Sequence, residues 1–481
     1  MDVSLSRRQA LAGLAASVVP LPAWSATPRT DPEWVRALLT TLHPGLYRYQ
    51  TPAEFEGRYA RFARAWQASP AIEQRTLALA RLLGPIRCGH THINPYNQTD
   101  ATIVRLTGGR ALLPFRFRWL RQRMIVTGDL LGAGIQPGTE VLTIDGRPVA
   151  TLLAALLPLA RADGSNDDKR RALMGIAGRD QYEEFDLYQP LLWPLRRSVR
   201  LKLRYPAGKV ETRTVATIDR TARLAARVKA PERDGTDPQW AIEQRGATAI
   251  LTMDNWALYD SRWNWRGWLD AQMTRIASNG TRGLVIDLRA NEGGQDCGDV
   301  ILSRLARLPL PAEPMQRLVR FQEVPADLRG PLDTWDKSFV SLGKGAPAAA
   351  GGYFRLAPAD SGGSDVIAPL APRFDGKVVV LISSTNSSAT FQFAQRIKDA
   401  GLATLVGEPT GGNRRGINGG AYFFVRLPDS GLEFDLPLIG YFPEKPQPDA
   451  GIRPDVMVPV TASAIAEGRD EALEKALRIV A

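Results

Sequence analysis

The last 240 residues of the chain alternate between apolar and amphipathic segments, and this pattern limits the possible folds more than any other feature. The apolar segments are 247–253, 283–288, 378–383 and 402–406. The segments 256–278 and 391–400, which lie between them, have helical periodicity. Apolar runs without polar alternation indicate strands that are covered on both faces. We therefore predict an α/β domain over residues 241–481, with a largely buried sheet between layers of helices.

Two regions and a linker precede this domain. Residues 30–100 are predicted to be helical, and T-P-A-E at 51–54 is a good helix start, with Thr at the N-cap and Pro at the next position. Residues 101–222 have strand-like alternation and a predicted tight turn at D-G, and they resemble a PDZ module with an insertion. Residues 223–240 are charged, contain two prolines and are predicted to be a linker.

The N-terminus has the three parts of an export signal. Arg7 and Arg8 precede an apolar run at 10–19, and small residues follow near Ser25. The paired arginines resemble those of bacterial twin-arginine signals. We therefore expect residues 1–26 to be an export signal and the protein to be periplasmic or secreted. The alternatives are an ordinary secretory signal or an apolar cytoplasmic tail.

The charge distribution argues against nucleic acid as a partner. The net charge is +11, but the basic residues are interleaved with acids and no basic run exceeds three residues. No apolar stretch after the signal is long enough to span a membrane. The two cysteines, Cys88 and Cys297, can form at most one disulfide, and the sequence does not show whether they meet.

Two loops that follow predicted strands carry candidate catalytic groups. D-L-R-A-N-E-G-G at 287–294 ends in Gly293 and Gly294, whose backbone N–H groups could approach a ligand; the alternative is a plain turn. S-S-T-N-S-S-A at 383–389 places Ser388 at a helix N-terminus, where the N–H of Ala389 could stabilise an oxyanion. The alternative for Ser388 is a helix cap, since serine is common there.

A third motif, C-G-H-T-H at 88–92, contains two of the three histidines in the chain. If this segment is extended, Cys88, His90 and His92 face the same side and could bind zinc or copper. A catalytic histidine and a structural histidine are the alternatives.

Together these motifs resemble the tail-specific (carboxyl-terminal-processing) serine peptidases, and most closely their histidine-using, tricorn-core-like branch. The 287–294 loop matches the family's strand-end motif, and V-G-E-P-T-G-G at 406–412 and G-I-R-P-D at 451–455 match later ones. Counting back from the 406–412 motif makes Ser388 the nucleophile, and G-H-T at 89–91 matches the histidine branch. The resemblance implies a peptidase core of ββα repeats similar to crotonase and ClpP.

The sequence departs from the family at two places. The lysine that acts as general base in the Ser-Lys branch is replaced by Asn413, and Thr390 and Phe391 replace the end of the nucleophile motif. The resemblance therefore implies His90 as the base, because the arginines after Asn413 stay protonated. An acid near the closing motif would orient His90, and we favour Asp449 over Glu444.

These inferences predict an exported serine peptidase that cleaves peptides or protein C-terminal tails and needs no cofactor. Ser388, His90 and Asp449 would form the catalytic group. The N–H groups of Gly293 or Gly294, with that of Ala389, would form the oxyanion hole. Two alternatives remain: a catalytically silent peptide- or ligand-binding protein on the same scaffold, and a metal-binding protein that uses Cys88, His90 and His92.

Overall fold

The computed structural model describes residues 29–228, 235–311, 315–357 and 366–481. The predicted export signal, residues 1–26, lies outside the described residues. The predicted fold class is confirmed: a helical N-terminal region and a β-rich module precede an α/β domain. Among the described residues, no helix combines the length and the apolar character that a bilayer crossing requires.

The N-terminal region consists of four helices. They are α1 (Asp31–Leu42), α2 (Pro52–Ala68), α3 (Ile72–Leu83) and α4 (Asp100–Thr107). The predicted start of α2 is confirmed, because Thr51 and Glu54 form a capping box in which each side chain accepts a backbone N–H of the other. A single turn of 3₁₀-helix at Gly84–Ile86 leads from α3 into the C-G-H-T-H motif.

The β-rich module is one antiparallel sheet with helices inserted between its strands. In chain order its elements are β1 (Phe115–Leu120), β2 (Arg123–Asp129), β3 (Glu140–Ile144), β4 (Arg147–Pro148), α5 (Val149–Leu156), α6 (Asp167–Leu173), α7 (Glu184–Leu192), β5 (Ser198–Arg204), β6 (Val210–Ala216) and α8 (Arg220–Ala225). The strands are ordered β1-β2-β3-β5-β6, and β4 pairs with β3. Asp145 and Gly146 both have positive φ, of 48° and 81°, as the predicted tight turn requires.

The α/β domain contains two further large sheets. Its strands are β7 (Ala241–Arg245), β8 (Thr248–Thr252), β9 (Gly283–Asp287), β10 (Leu310–Pro311), β11 (Met315–Val319), β12 (Leu332–Asp333), β13 (Ala348–Ala349), β14 (Tyr353–Arg355), β15 (Val366–Ile367), β16 (Lys377–Ile382), β17 (Thr404–Gly407), β18 (Asn418–Arg426), β19 (Glu433–Pro443) and β20 (Val456–Met457). Its helices are α9 (Trp265–Ser278), α10 (Gly298–Leu305), α11 (Ser388–Asp399), α12 (Ala462–Glu467) and α13 (Glu471–Val480).

The central strands of the first of these sheets are buried on both faces, as predicted. Its order is β20-β17-β16-β9-β8-β7, and all neighbours are parallel except β7 and β8. Leu284 and Ile286 pack in a cluster with α9, α10 and α11, whereas Val285 packs on the other face with Ala476 of α13. The carboxyl ends of β9, β16 and β17 therefore meet at one edge, where ligands of parallel α/β sheets usually bind.

The predicted helix at 256–278 is shorter in the structure. α9 begins after Asn264, whose side chain accepts a hydrogen bond from Gly267 N at 3.0 Å and caps the helix. Trp256 instead forms a parallel bridge with Gly294. The chain before α9 is thus held against the glycine loop rather than continuing the helix.

The second sheet, which the sequence does not predict, connects the N-terminal helices to the α/β domain. It is antiparallel, in the order β12-β18-β19-β11-β14-β13. Phe423 and Leu436 of this sheet share a buried apolar cluster with Leu39 of α1. Asp435 N of β19 donates a hydrogen bond to His92 O at 3.0 Å. This contact anchors the C-G-H-T-H segment to the C-terminal part of the chain.

Candidate active site

Ser388 is the first residue of α11, immediately after the loop that follows β16. Its φ is +50°, a left-handed conformation that costs a non-glycine residue about 1–2 kcal/mol. The side chain is half-buried and faces a large cleft, and its hydroxyl makes no hydrogen bond to any described residue. A strained turn between a strand and a helix presents a serine hydroxyl at the top of a sheet, as nucleophiles of hydrolases require.

Of the two paired glycines, Gly293 lies directly beside Ser388. A Cβ atom placed on Gly293 would lie 2.9 Å from Ser388 Cβ and 3.0 Å from Ala389 N. Gly293 N already donates a hydrogen bond to Asn291 Oδ1 at 2.9 Å, so the structure does not support Gly293 as an oxyanion donor. The N–H groups of Gly294 and Ala389 have no partner among the described residues and remain the two candidates.

Asn386, which the sequence analysis missed, holds three loops together. Its side-chain amide donates hydrogen bonds to Leu288 O and Asn291 O, at 2.5 and 2.9 Å. Its main-chain carbonyl oxygen accepts hydrogen bonds from the N–H groups of Gly411 and Gly412, at 2.6 and 2.9 Å. Asn386 is fully buried. The loops after β9, β16 and β17 are therefore held together as one unit. The sequence signal for this role of Asn386 was an amide residue within a polar loop, since buried amides are normally hydrogen-bonded.

Thr390, one of the departures from the family motif, supports the same unit. Its hydroxyl is buried and donates to Ser387 O at 2.8 Å and to Asn291 O at 3.2 Å. Thr390 therefore links α11 to the glycine loop.

His90 lies in a turn, not in an extended segment, and its ring is half-buried at the same cleft. The Nδ1 atom is buried and has no hydrogen-bond partner. Burial lowers the pKa of His90 below its usual value, although the nearby Asp163 carboxylate opposes this effect. The ring is therefore neutral at neutral pH and able to accept a proton.

Asp163, and not Asp449, is the acid beside His90. Its Oδ1 accepts Gly89 N at 2.8 Å, and its Oδ2 is buried without a partner. Ligand atoms of Asp163, His90 and Cys88 lie within 4.8 Å of one another. The predicted acid Asp449 instead accepts hydrogen bonds from Ser165 and from Asn413, at 2.7 Å for Asn413 Nδ2, and none from His90.

A chain of contacts connects the His90 turn to the glycine loop. Arg161 donates to Gly89 O at 3.2 Å and to Glu292 Oε2 at 3.1 Å. Lys169, almost fully buried, also donates to Glu292 and donates to Thr385 O at 2.9 Å. Although burial alone would raise it, Lys169 and Arg161 hold the pKa of Glu292 well below its usual range. Glu292 is therefore a carboxylate, fixed next to Gly293.

Arg161, Asp163 and Lys169 all belong to the insertion of the β-rich module. The sequence shows this segment as a polar stretch, and only its folding onto the α/β domain reveals its part in the site. Ser388 and His90 line one cleft, but no hydrogen bond joins the Ser388 hydroxyl to the His90 ring.

The alternative metal ligands predicted from the sequence are only partly assembled. Cys88 and His90 lie together, but Asp163 takes the third place and His92 is not part of the group. The segment turns at this point, so the alternation of an extended strand does not apply. Both cysteines are free and buried, and they belong to different apolar clusters.

Comparisons with known proteins find one family model and several solved structures that this chain resembles. Residues 247–458 match the model of peptidase family S41. The structure of mature CPAF complexed with lactacystin has a TM-score of 0.60 at 18% identity, covering 93% of this chain and 96% of that one. A CPAF mutant has a TM-score of 0.63 at 18% identity, covering 94% and 96%. The photosystem II D1 C-terminal processing protease has a TM-score of 0.41 at 14% identity, covering 94% and 96%. No curated protein matches the chain by sequence.

Proposed function

Because residues 247–458 belong to peptidase family S41, whose members are serine-type peptidases, we propose that this protein is an exported peptidase that uses Ser388 as nucleophile and His90 as general base. The observation that carries this proposal is the path from Gly89 through Arg161 and Glu292 to the glycine loop beside Ser388. It holds a neutral imidazole and a strained serine turn at one cleft, although they are almost three hundred residues apart in sequence.

The reaction is an acyl transfer. Ser388 Oγ attacks the peptide carbonyl, His90 takes the hydroxyl proton, and the ring later gives it to the leaving amine. A closer approach of the two side chains is needed when substrate binds, since catalytic hydrogen bonds are often long in free enzymes. Water then releases the acyl group by the same proton transfers in reverse.

Asp163 takes the role that the sequence analysis gave to Asp449. Oδ2 of Asp163 and Nδ1 of His90 are both buried without a partner, and the two side chains have ligand atoms within 4.8 Å of each other. A hydrogen bond from Nδ1–H to this oxygen would fix the tautomer that leaves Nε2 free as the base, and it would stabilise the imidazolium.

The developing oxyanion would be bound by backbone N–H groups. Those of Gly294 and Ala389 have no other partner, and Ala389 lies in the first turn of α11, where the helix dipole favours negative charge. Each such donor contributes on the order of 10²–10³ in rate.

The substrates we propose are peptides and protein C-terminal tails, bound by the PDZ-like module. Among the residues that the structure describes, β6 of its sheet pairs with β5 alone, so one side of β6 is an open edge. An extended peptide can be added to such an edge through main-chain hydrogen bonds.

Labelling with a fluorophosphonate, together with hydrolysis of a peptide mixture, tests the proposal. The wild-type protein should be labelled and active, whereas Ser388→Ala should lose both properties and His90→Gln should lose most of its activity. Full hydrolysis by Ser388→Ala would exclude this nucleophile. A folded wild-type protein that binds peptides without label or hydrolysis would support the silent binding protein instead.

Export is tested separately. A folded reporter fused to residues 1–26 should reach the periplasm, and changing Arg7 and Arg8 to Lys should block this if the twin-arginine pathway is used. Export that is unaffected by the lysine changes would indicate an ordinary secretory signal.

A further inference from the structure

Cys88, His90 and Asp163 form a compact group of three different metal-ligand types. Their ligand atoms lie within 4.8 Å of one another, and Cys88 and Asp163 are each only 2% exposed. With zinc bonds of about 2.0–2.3 Å, donors in a tetrahedral site are about 3.3–3.8 Å apart. A movement of the order of 1 Å, such as a rotation of the His90 ring, would bring the three donors to that spacing.

Two atoms of this group lack the partners that buried polar atoms normally have. Asp163 Oδ2 and His90 Nδ1 are both buried and unpaired, while Asp163 Oδ1 is held by Gly89 N at 2.8 Å. The hydrogen bond from Gly89 N to Oδ1 orients the carboxylate so that Oδ2 is available to one ligand. Metal sites commonly hold their carboxylates in this way.

The surrounding charges permit a divalent cation here. The Cys88 thiolate and the Asp163 carboxylate together balance a 2+ charge. Of the nearby cations, Arg161 is already paired with Glu184 and Glu292, at 3.1 Å in each case. Arg48 hydrogen-bonds to uncharged acceptors, among them Asn418 Oδ1 at 3.2 Å, and its charge weakens cation binding.

We propose that Cys88, His90 and Asp163 form a Zn²⁺ site that inhibits the enzyme by occupying its histidine and the acid that orients it. One thiolate and one imidazole select zinc over magnesium or calcium, and water from the cleft completes the fourth position. The thiol proton is released to solvent when the metal binds. Metal binding stands independently of the peptidase, whereas inhibition rests on the proposed function.

Cobalt provides a direct probe of the site. One equivalent of Co²⁺ added to the metal-free protein should give the near-ultraviolet charge-transfer band of a Co²⁺–thiolate bond. We expect the band in the wild type and in Cys297→Ser, which changes the other buried cysteine, and not in Cys88→Ser. The absence of the band from the wild type, or its persistence in Cys88→Ser, would overturn the proposal.

Zinc X-ray absorption on the wild type tests the site without any variant, so its result does not depend on the folding of Cys88→Ser. The spectrum should show one sulfur at about 2.3 Å and nitrogen or oxygen at about 2.0 Å. A zinc shell without sulfur would contradict the site as strongly as a missing cobalt band.

Peptide hydrolysis then tests the inhibition. Zn²⁺ should inhibit the wild type and Cys297→Ser at equal concentrations, and Mg²⁺ should have no effect. With each protein compared to its own zinc-free rate, Cys88→Ser should need at least about 10-fold more Zn²⁺ for half-inhibition, because it lacks one ligand. Equal zinc sensitivity in Cys88→Ser refutes the inhibitory site. A protein that gives the cobalt band but has no hydrolytic activity keeps the metal site and refutes the peptidase.

Discussion

Arg161 donates a 3.1 Å hydrogen bond to Glu292, and this contact joins the β-rich module to the glycine loop of the α/β domain. The same guanidinium donates to Gly89 O, next to His90. One side chain from the insertion therefore links the two halves of the candidate active site.

Replacing Arg161 should lower activity more than stability. We expect Arg161→Gln to reduce kcat by about 10- to 100-fold, because the His90 turn loses its link to the loop that carries Gly293. Arg179→Gln removes an exposed pair with Asp254 in the same module and is the matched control, with little effect expected. Steady-state kinetics and thermal unfolding check both. Equal activity of the two variants would show that the Arg161 bridge does not position the site.

The acid beside His90 can be identified by two matched substitutions. We expect Asp163→Asn to reduce kcat by about 10²–10⁴-fold, since an amide cannot stabilise the imidazolium. Asp449→Asn should have less than about 10-fold effect, because Asp449 bonds to Ser165 and Asn413. Rates with a common peptide substrate decide between them, and the reverse order would return the role to Asp449.

A methyl group on the glycine loop should block catalysis. The Cβ of Gly293→Ala would lie 2.7 Å from Ser387 O at a φ of +111°, so the nucleophile turn must shift. We expect a loss of more than about 100-fold in kcat. Gly280→Ala is the control: it also has a positive φ, but no atom lies within 4 Å of the added Cβ. It therefore shows the effect of backbone strain without a steric clash. Comparable activity in both alanine variants would place the reaction away from Gly293.

The pH dependence of kcat/KM should reflect the lowered pKa of His90. Only the neutral ring can act as base, so a lowered pKa keeps the enzyme active at more acidic pH and moves the acid limb below about 6.5. Removing the Asp163 carboxylate, which raises this pKa, should move the limb of the residual activity further down. An acid limb above pH 7 would contradict the assignment of His90.

The free energy of unfolding should fall as the pH is lowered below about 6.5, because His43 then binds a proton in the unfolded chain but not in the folded one. Burial lowers the pKa of His43 to about 3, while the unfolded value is 6.5, so the unfolded chain binds more protons between these values. The free energy of unfolding should decrease by about 2 kcal/mol from this group between pH 7 and pH 5. Urea unfolding of the wild type and His43→Gln measures it, and identical pH slopes would exclude the effect.

Local pattern was sufficient for most of the framework. The covered strands, the capping box of α2 and the turn at Asp145 and Gly146 depend on neighbours in sequence, and so does the position of Ser388 between a strand and a helix. The closeness of Gly293 to Ser388 also followed, because parallel strands end at a common edge. The antiparallel second sheet was missed, since its pairings join segments far apart in the chain.

The sequence alone determined which groups can do chemistry here: a serine at a helix N-terminus, a glycine pair at a strand end and a histidine in a short polar motif. Only the tertiary structure decided which acid serves the histidine. Asp163 is adjacent to His90 because the insertion folds back over the C-G-H-T-H turn, whereas Asp449 is held by Ser165 and Asn413. Such a choice depends on contacts between distant segments, and residue type and spacing carry no information about those contacts.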